Sequence, residues 1–317
     1  MKIKYWILRR LFKYTSPLIS IFEKSKVNKY SNKVSEKQAI FILGAPRTGS
    51  TILYQLLTQY FDLQYFDNLN HLANENVYFG SWLSSKIFKG KPHNCFKSKH
   101  GRTIDGGLHA PTEGGQIWQR WLPSYDNYLD VETVSDKQII LIRKNIYSLI
   151  NRYNKPLIIK NNYNSLRLKL IKKFSPNAKF IFIKRDPLYT AQSIIIAREN
   201  IYNDRSMWWS IKPSNYMEIG QLSYVEQVVK QIYYIEKQIH IELKMFDLNN
   251  ILVINYNDLN NQKEFLDTTK KFLKNVKVRE NIDLQEIRIS KKNKLEEEII
   301  KDLKKEIQKY DWENYSS

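Results

Sequence analysis

The sequence predicts an α/β fold of three layers, a central parallel sheet flanked by helices. Four short runs rich in Ile, Val and Phe are continuously apolar instead of alternating, the pattern of parallel strands covered on both faces. Helical patterns separate these runs, so strands and helices alternate as in doubly wound sheets. The Gly-rich and cationic motifs fall immediately after strand runs, and ligands of such sheets sit beyond the carboxyl ends of the strands.

The chain opens with MKIKYWILRRLFKYTSPLISIF, apolar and basic, within a basic extension over residues 1–35 expected to be helical. Arg9, Arg10 and Lys13 interrupt it before it reaches the roughly 20 apolar residues of a membrane span. No transmembrane segment is expected. The extension either packs on the domain or touches a membrane surface.

QAIFIL (residues 38–43) is the first strand, GAPRTGST the turn after it, and STILYQLLTQY (50–60) the following helix. LIIK (157–160), KFIFIK (179–184) and ILVINY (251–256) are the other three strands. Asp186 and Pro187 read as N-cap and N1 of a helix leaving the third strand. Between residue 222 and about 246, Leu222, Val225, Val228, Ile232, Ile235, Ile239 and Leu243 step by three or four, marking a core-covering helix. No repeat or Pro-rich linker divides the chain, so one domain over 1–317 is expected.

Composition narrows the function. The chain of 317 residues is 42% hydrophobic, enough for a packed interior and against disorder. Its formal charge of +19 raises nucleic acid, anionic membrane or acidic ligand as partners, but no helix-turn-helix, RNA-binding or zinc signature accompanies it, so nucleic acid is not expected. Cys95 is the only cysteine, which excludes an internal disulfide, and His71, His93, His100, His109 and His240 show no ligand spacing; no metal is expected.

GAPRTGST nearly spells the Walker A loop, with Gly44 and Gly49 in place but Ser50 where the lysine belongs. The two glycines allow backbone angles that bring N–H groups around an anion, and the helix opened by Ser50 and Thr51 adds its N-terminal amides. Arg47 is the only cation inside the loop. Such a loop suits a single 5′-phosphate and the group leaving from it, and suits a magnesium–triphosphate poorly. Arg185, at the exit of the third strand, and Ser193, in the helix after it, can converge on a second phosphate. Together the two devices fit a nucleotide with a 5′- and a separate 3′-phosphate.

On these residues the chain resembles sulfotransferases that use 3′-phosphoadenosine 5′-phosphosulfate (PAPS). GAPRTGST is similar to their 5′-phosphosulfate loop, Arg185 with Ser193 to their 3′-phosphate motif, and LIIKNNYNSLRLKLIKKFSPNAKFIFIKRDP to a longer family block. Asn162, where that block usually has proline, and Ser175-Pro176, for Phe-Pro, depart from it. The resemblance spans about residues 38–272 and implies a P-loop NTPase-like three-layer fold, PAPS as co-substrate and no metal. It places Arg47, Thr48, Gly49, Ser50 and Thr51 on the 5′-phosphosulfate and Arg185 and Ser193 on the 3′-phosphate. Arg47 and Lys160 would stabilise the transferring group, with Glu113 as base and His109 as its substitute. Ser290, Lys291 and Lys292 would belong to a C-terminal basic loop over the nucleotide.

The acceptor is expected to be a hydroxyl or amine on a glycan or small molecule. Trp118, Trp121, Trp208 and Trp209 either stack on a sugar or pack in the core. A cytoplasmic location is expected. The rival readings are a P-loop kinase or NTPase and a non-catalytic anion-binding protein on the same fold.

Overall fold

The structure is a computed structural model that describes residues 2–33, 36–99, 101–124, 129–280, 282, 287 and 292–315. Five strands, β1 (Ala39–Leu43), β2 (Gln64–Tyr65), β3 (Leu157–Lys160), β4 (Lys179–Lys184) and β5 (Ile251–Asn255), form one sheet in the order β2-β3-β1-β4-β5. Every neighbouring pair is parallel. The helices are α1 (Lys2–Ser31), α2 (Ser50–Tyr60), α3 (Asn68–Leu72), α4 (Val77–Phe88), α5 (Gly115–Trp121), α6 (Asp136–Tyr153), α7 (Leu168–Phe174), α8 (Pro187–Tyr202), α9 (Tyr216–Ile219), α10 (Tyr224–Leu243), α11 (Gln262–Leu273) and α12 (Glu297–Ile307).

Alternation within each strand divides the interior into two cores. Phe41, Leu43, Ile159, Phe180 and Phe182 face α5, α6, α7, α8, α10 and α12. Ile40, Ile42, Ile158, Ile181 and Ile183 face α2 and α11. Both sheet faces are thus covered, which is why the strand runs are apolar throughout. The register sets Ile42 opposite Lys160 on one side and Ile181 on the other, so the loops leaving these strands gather at one edge.

The four expected strands are present. β2 adds a fifth of two residues, too short to show a period. α2 spans the residues expected and α8 begins where expected, with Asp186 capping α8 through Leu188 N–H and Pro187 in its first turn. α10 starts after a Ser223 capping box closed by Glu226. The N-terminal extension is one long helix, α1, lying along α6 with Val27 buried. Trp118 and Trp121 are buried in the core, which corrects the idea that they could stack on an acceptor: their rings pack edge-on or tilted against each other, Phe66 and Phe174.

Candidate active site

Between β1 and α2 the chain turns through Gly44–Gly49. Gly49, the N-cap of α2, has φ 96, and a Cβ there would lie 2.3 Å from the Tyr256 ring. Only glycine satisfies both the angle and the contact. Arg47 itself holds φ 69, unusual for a residue with a side chain. The loop is braced from within by Thr48, whose buried hydroxyl donates to Ala45 O at 2.8 Å. From outside, the Ser165 hydroxyl accepts from Gly44 N–H (3.0 Å) and donates to Gly44 O (3.1 Å). The turn therefore presents the first, intrahelically unpaired N–H groups of α2 in a fixed direction.

Three of the expected residues meet at one end of this loop. Arg47 Nε donates to Ser193 Oγ at 2.9 Å, and Arg185 Nη1 donates to Arg47 O at 3.0 Å. The Arg185 guanidinium lies 4.7 Å over the Tyr256 ring and that of Arg47 6.0 Å from the Trp209 ring. Burial pulls both guanidiniums below their ordinary value, and for Arg47 the neighbouring Arg185 pulls further. Neither forms an ion pair with an acidic side chain among the described residues. Two half-buried cations held side by side without an ion-paired carboxylate among the described residues favour an anion beside them.

Lys160 and Glu113 meet beyond the end of β3. The Lys160 ammonium, almost fully buried, donates to Glu113 Oε1. Asn161 Nδ2 donates to Glu113 O at 3.0 Å and fixes the backbone that carries the carboxylate. Glu113 keeps a third of its side chain exposed and precedes Gly114, the N-cap of α5, whose φ is 63. A Cβ built on Gly101 would sit 3.5 Å from Glu113 Oε1 and 3.6 Å from Thr51 Oγ1. The carboxylate and the first turn of α2 therefore border a common space.

His109 is elsewhere. Its Nε2 is 2.9 Å from the Tyr65 hydroxyl and its ring stacks on Phe88 at 4.0 Å. Burial, then Arg279, lowers its pKa to about 4. Lys292 is exposed, while Ser290 and Lys291 lie outside the described residues. Just beyond, Lys294 N–H donates to the Gln192 side chain of α8 at 2.9 Å. Trp208 stands edge-on to Tyr216 beneath the Arg198 guanidinium.

Sequence reasoning missed Ser165 and Tyr256. Tyr256 carried a usable signal, since it ends the last strand run at the same edge as the other motifs. Ser165 carried none, because its role exists only through the packing of the turn after β3 against the loop after β1.

The profile of the Sulfotransferase family matches residues 39–266, which include both arginines, Ser193, Lys160 and Glu113. The omega-hydroxy-beta-dihydromenaquinone-9 sulfotransferase Stf3 of Mycobacterium bovis is 28% identical over 184 residues, 51% of this chain and 46% of its own. The Mycobacterium tuberculosis protein of that name matches to the same extent. The chain thus spans about half the length of these curated relatives. In structure it resembles sulfotransferase STF9 of Mycobacterium avium, with a TM-score of 0.51 at 14% identity over 80% of this chain and 67% of that one. Its three layers are those of the P-loop-like sulfotransferases. The chain belongs to the sulfotransferase family.

Proposed function

We propose that the chain is a single PAPS-dependent sulfotransferase domain acting on a hydroxyl of a small molecule. The observation that carries this reading is the pair of adjacent guanidiniums, Arg47 and Arg185, linked by the bond from Arg185 to Arg47 O, with Ser193 bonded to Arg47 and neither arginine ion-paired with an acidic side chain among the described residues. Such a cluster beside a phosphate loop fits a nucleotide with phosphate at both ends of its ribose. When bound, PAPS supplies an activated sulfuryl group on its 5′-phosphate.

The residues then divide the work. Ser50, Thr51 and the first-turn amides of α2 hold the 5′ end, and Arg185 with Ser193 selects the 3′-phosphate. Arg47, rooted between the two, serves both. Glu113 takes the acceptor proton as the acceptor oxygen bonds to sulfur and the bond from sulfur to the 5′-phosphate oxygen breaks. Lys160 meets the charge that develops on that leaving oxygen. Its present partner is the Glu113 carboxylate, so a move of the ammonium toward the leaving oxygen frees the base at the moment it is needed. His109 suits the role less well, since its ring is committed to Tyr65 and Phe88.

The name of the curated relatives, with its omega-hydroxy group, favours a small-molecule alcohol over a glycan. The test is transfer of radioactive sulfate from PAPS and from adenosine 5′-phosphosulfate to hydroxylated acceptors. Transfer from PAPS alone is expected. Equal use of both donors, or magnesium-dependent ATP hydrolysis indifferent to a 3′-phosphate, would overturn the reading.

A further inference from the structure

Among the described residues nineteen large hydrophobic side chains are exposed, and seven of them are on α1: Trp6, Ile7, Leu11, Tyr14, Leu18, Ile21 and Phe22. From Ile7 to Ile21 they step by four, three, four and three residues, so they form one continuous stripe along the helix, with Phe22 beside its end. Tyr14 is 76% and Phe22 74% exposed, so the stripe lies open rather than half covered.

The helix cannot turn this stripe inward, because polar contacts on its opposite side fix its rotation. Glu23 accepts from the N–H groups of Tyr78 and Phe79 at the start of α4, Ser20 from Asn76 Nδ2, and Asn28 from Lys144 Nζ. Val27 and Ser16 are buried on that inner side. Arg9, Arg10, Lys13, Lys24, Lys26 and Lys29 are all exposed on the same helix, whereas its only acidic residue, Glu23, is held at the inner contact. Arg10 covers the Trp6 ring at 3.8 Å, an amphipathic pair of the kind that sits at a lipid–water boundary.

We propose that α1 is an in-plane membrane anchor that docks this face of the protein on an anionic bilayer, with the apolar stripe in the headgroup boundary and the flanking cations on lipid phosphates. Charge decides the occupant: a strip of apolar residues on a helix that exposes six cations and no acid matches an anionic surface, while a second copy of the same helix would bring like charges together. Docking also orients the active site. Tyr5 Oη donates to Ile104 O at 3.2 Å, and Ile104, itself exposed, begins the segment that leads to Glu113. The anchored helix is therefore bonded to the segment that leads to the candidate site.

The test is flotation of the full chain with phosphatidylcholine vesicles, with and without phosphatidylglycerol. Binding is read without donor or acceptor, so its failure leaves the sulfuryl-transfer reading untouched. The wild type is expected to float with the anionic vesicles, and Leu18→Glu with Phe22→Glu to lower the partition coefficient by about tenfold or more. Both positions are exposed, and an unchanged thermal melt confirms that the double variant folds. Replacing Arg10, Lys24 and Lys26 with Gln is expected to weaken binding and flatten its salt dependence. Wild type remaining with the lipid-free fractions, or a double variant that floats as the wild type does, overturns the proposal. So does a wild-type dimer in light scattering that the double variant makes monomeric without any vesicle binding, which would make the stripe an interface between copies.

Discussion

Ser50 stands where a Walker loop carries its lysine, and the cations of the candidate site reach it from other places. Arg47 comes from within the loop and Lys160 from the neighbouring strand. The choice of Arg47, Arg185 and Ser193 was legible in the spacing of motifs after strand runs. The bond between Arg47 and Ser193 was not, because it joins the loop after β1 to α8, residues 146 apart in the sequence. Glu113 was legible as a candidate base only through the family resemblance; the structure adds the buried Lys160 that it meets. Glu113→Gln is expected to lower kcat by about 10²–10⁴-fold while leaving nucleotide affinity within about twofold. A single-turnover assay beside a binding titration separates the two. Turnover within a factor of ten of wild type would move the base away from Glu113.

The turn from β1 into α2 is the element on which the site depends. Its apolar strand, two glycines and helix were readable one after another, since each is a local choice of residue. β2 was not, because two residues show no period and its pairing with β3 comes only from the path of the chain after α2. The reason for Gly49 also lay outside the sequence, in the Tyr256 ring arriving from β5. Gly49→Ala adds a Cβ at a positive φ and drives it into that ring. A loss of about 1–3 kcal/mol in unfolding free energy, measured by urea denaturation, is expected together with weaker nucleotide binding. An alanine variant as stable as wild type would show that the ring moves aside freely.

For the whole molecule, the two cores and the parallel sheet were legible because continuous apolar runs require cover on both faces. The desolvation of Asp67, Glu23 and Glu236 was not, since they look like ordinary surface acids in the sequence. Desolvation raises each of them to about 7. Glu236, which accepts from the Tyr315 hydroxyl at 2.8 Å, gives a clean test. Its native state favours the protonated form, so its contribution to stability is full below about pH 4.5 and is lost as pH rises through about 7. His93 and His109, lowered to about 4, run the other way: their contribution is present above about 6.5 and lost as pH falls through about 4. Comparison with Glu236→Gln cancels the histidines. The variant is expected to gain on wild type by roughly 2–3 kcal/mol between pH 5 and 8 in thermal or urea unfolding, and a constant difference would refute the assignment. On the proposed function, two strand ends grip one nucleotide by two phosphates. Calorimetric titration with 3′-phosphoadenosine 5′-phosphate and with AMP tests that grip. The bisphosphate is expected to bind about 10–100-fold more tightly than AMP, and Arg185→Ala to erase that difference. Equal affinity of the wild type for both nucleotides would contradict it.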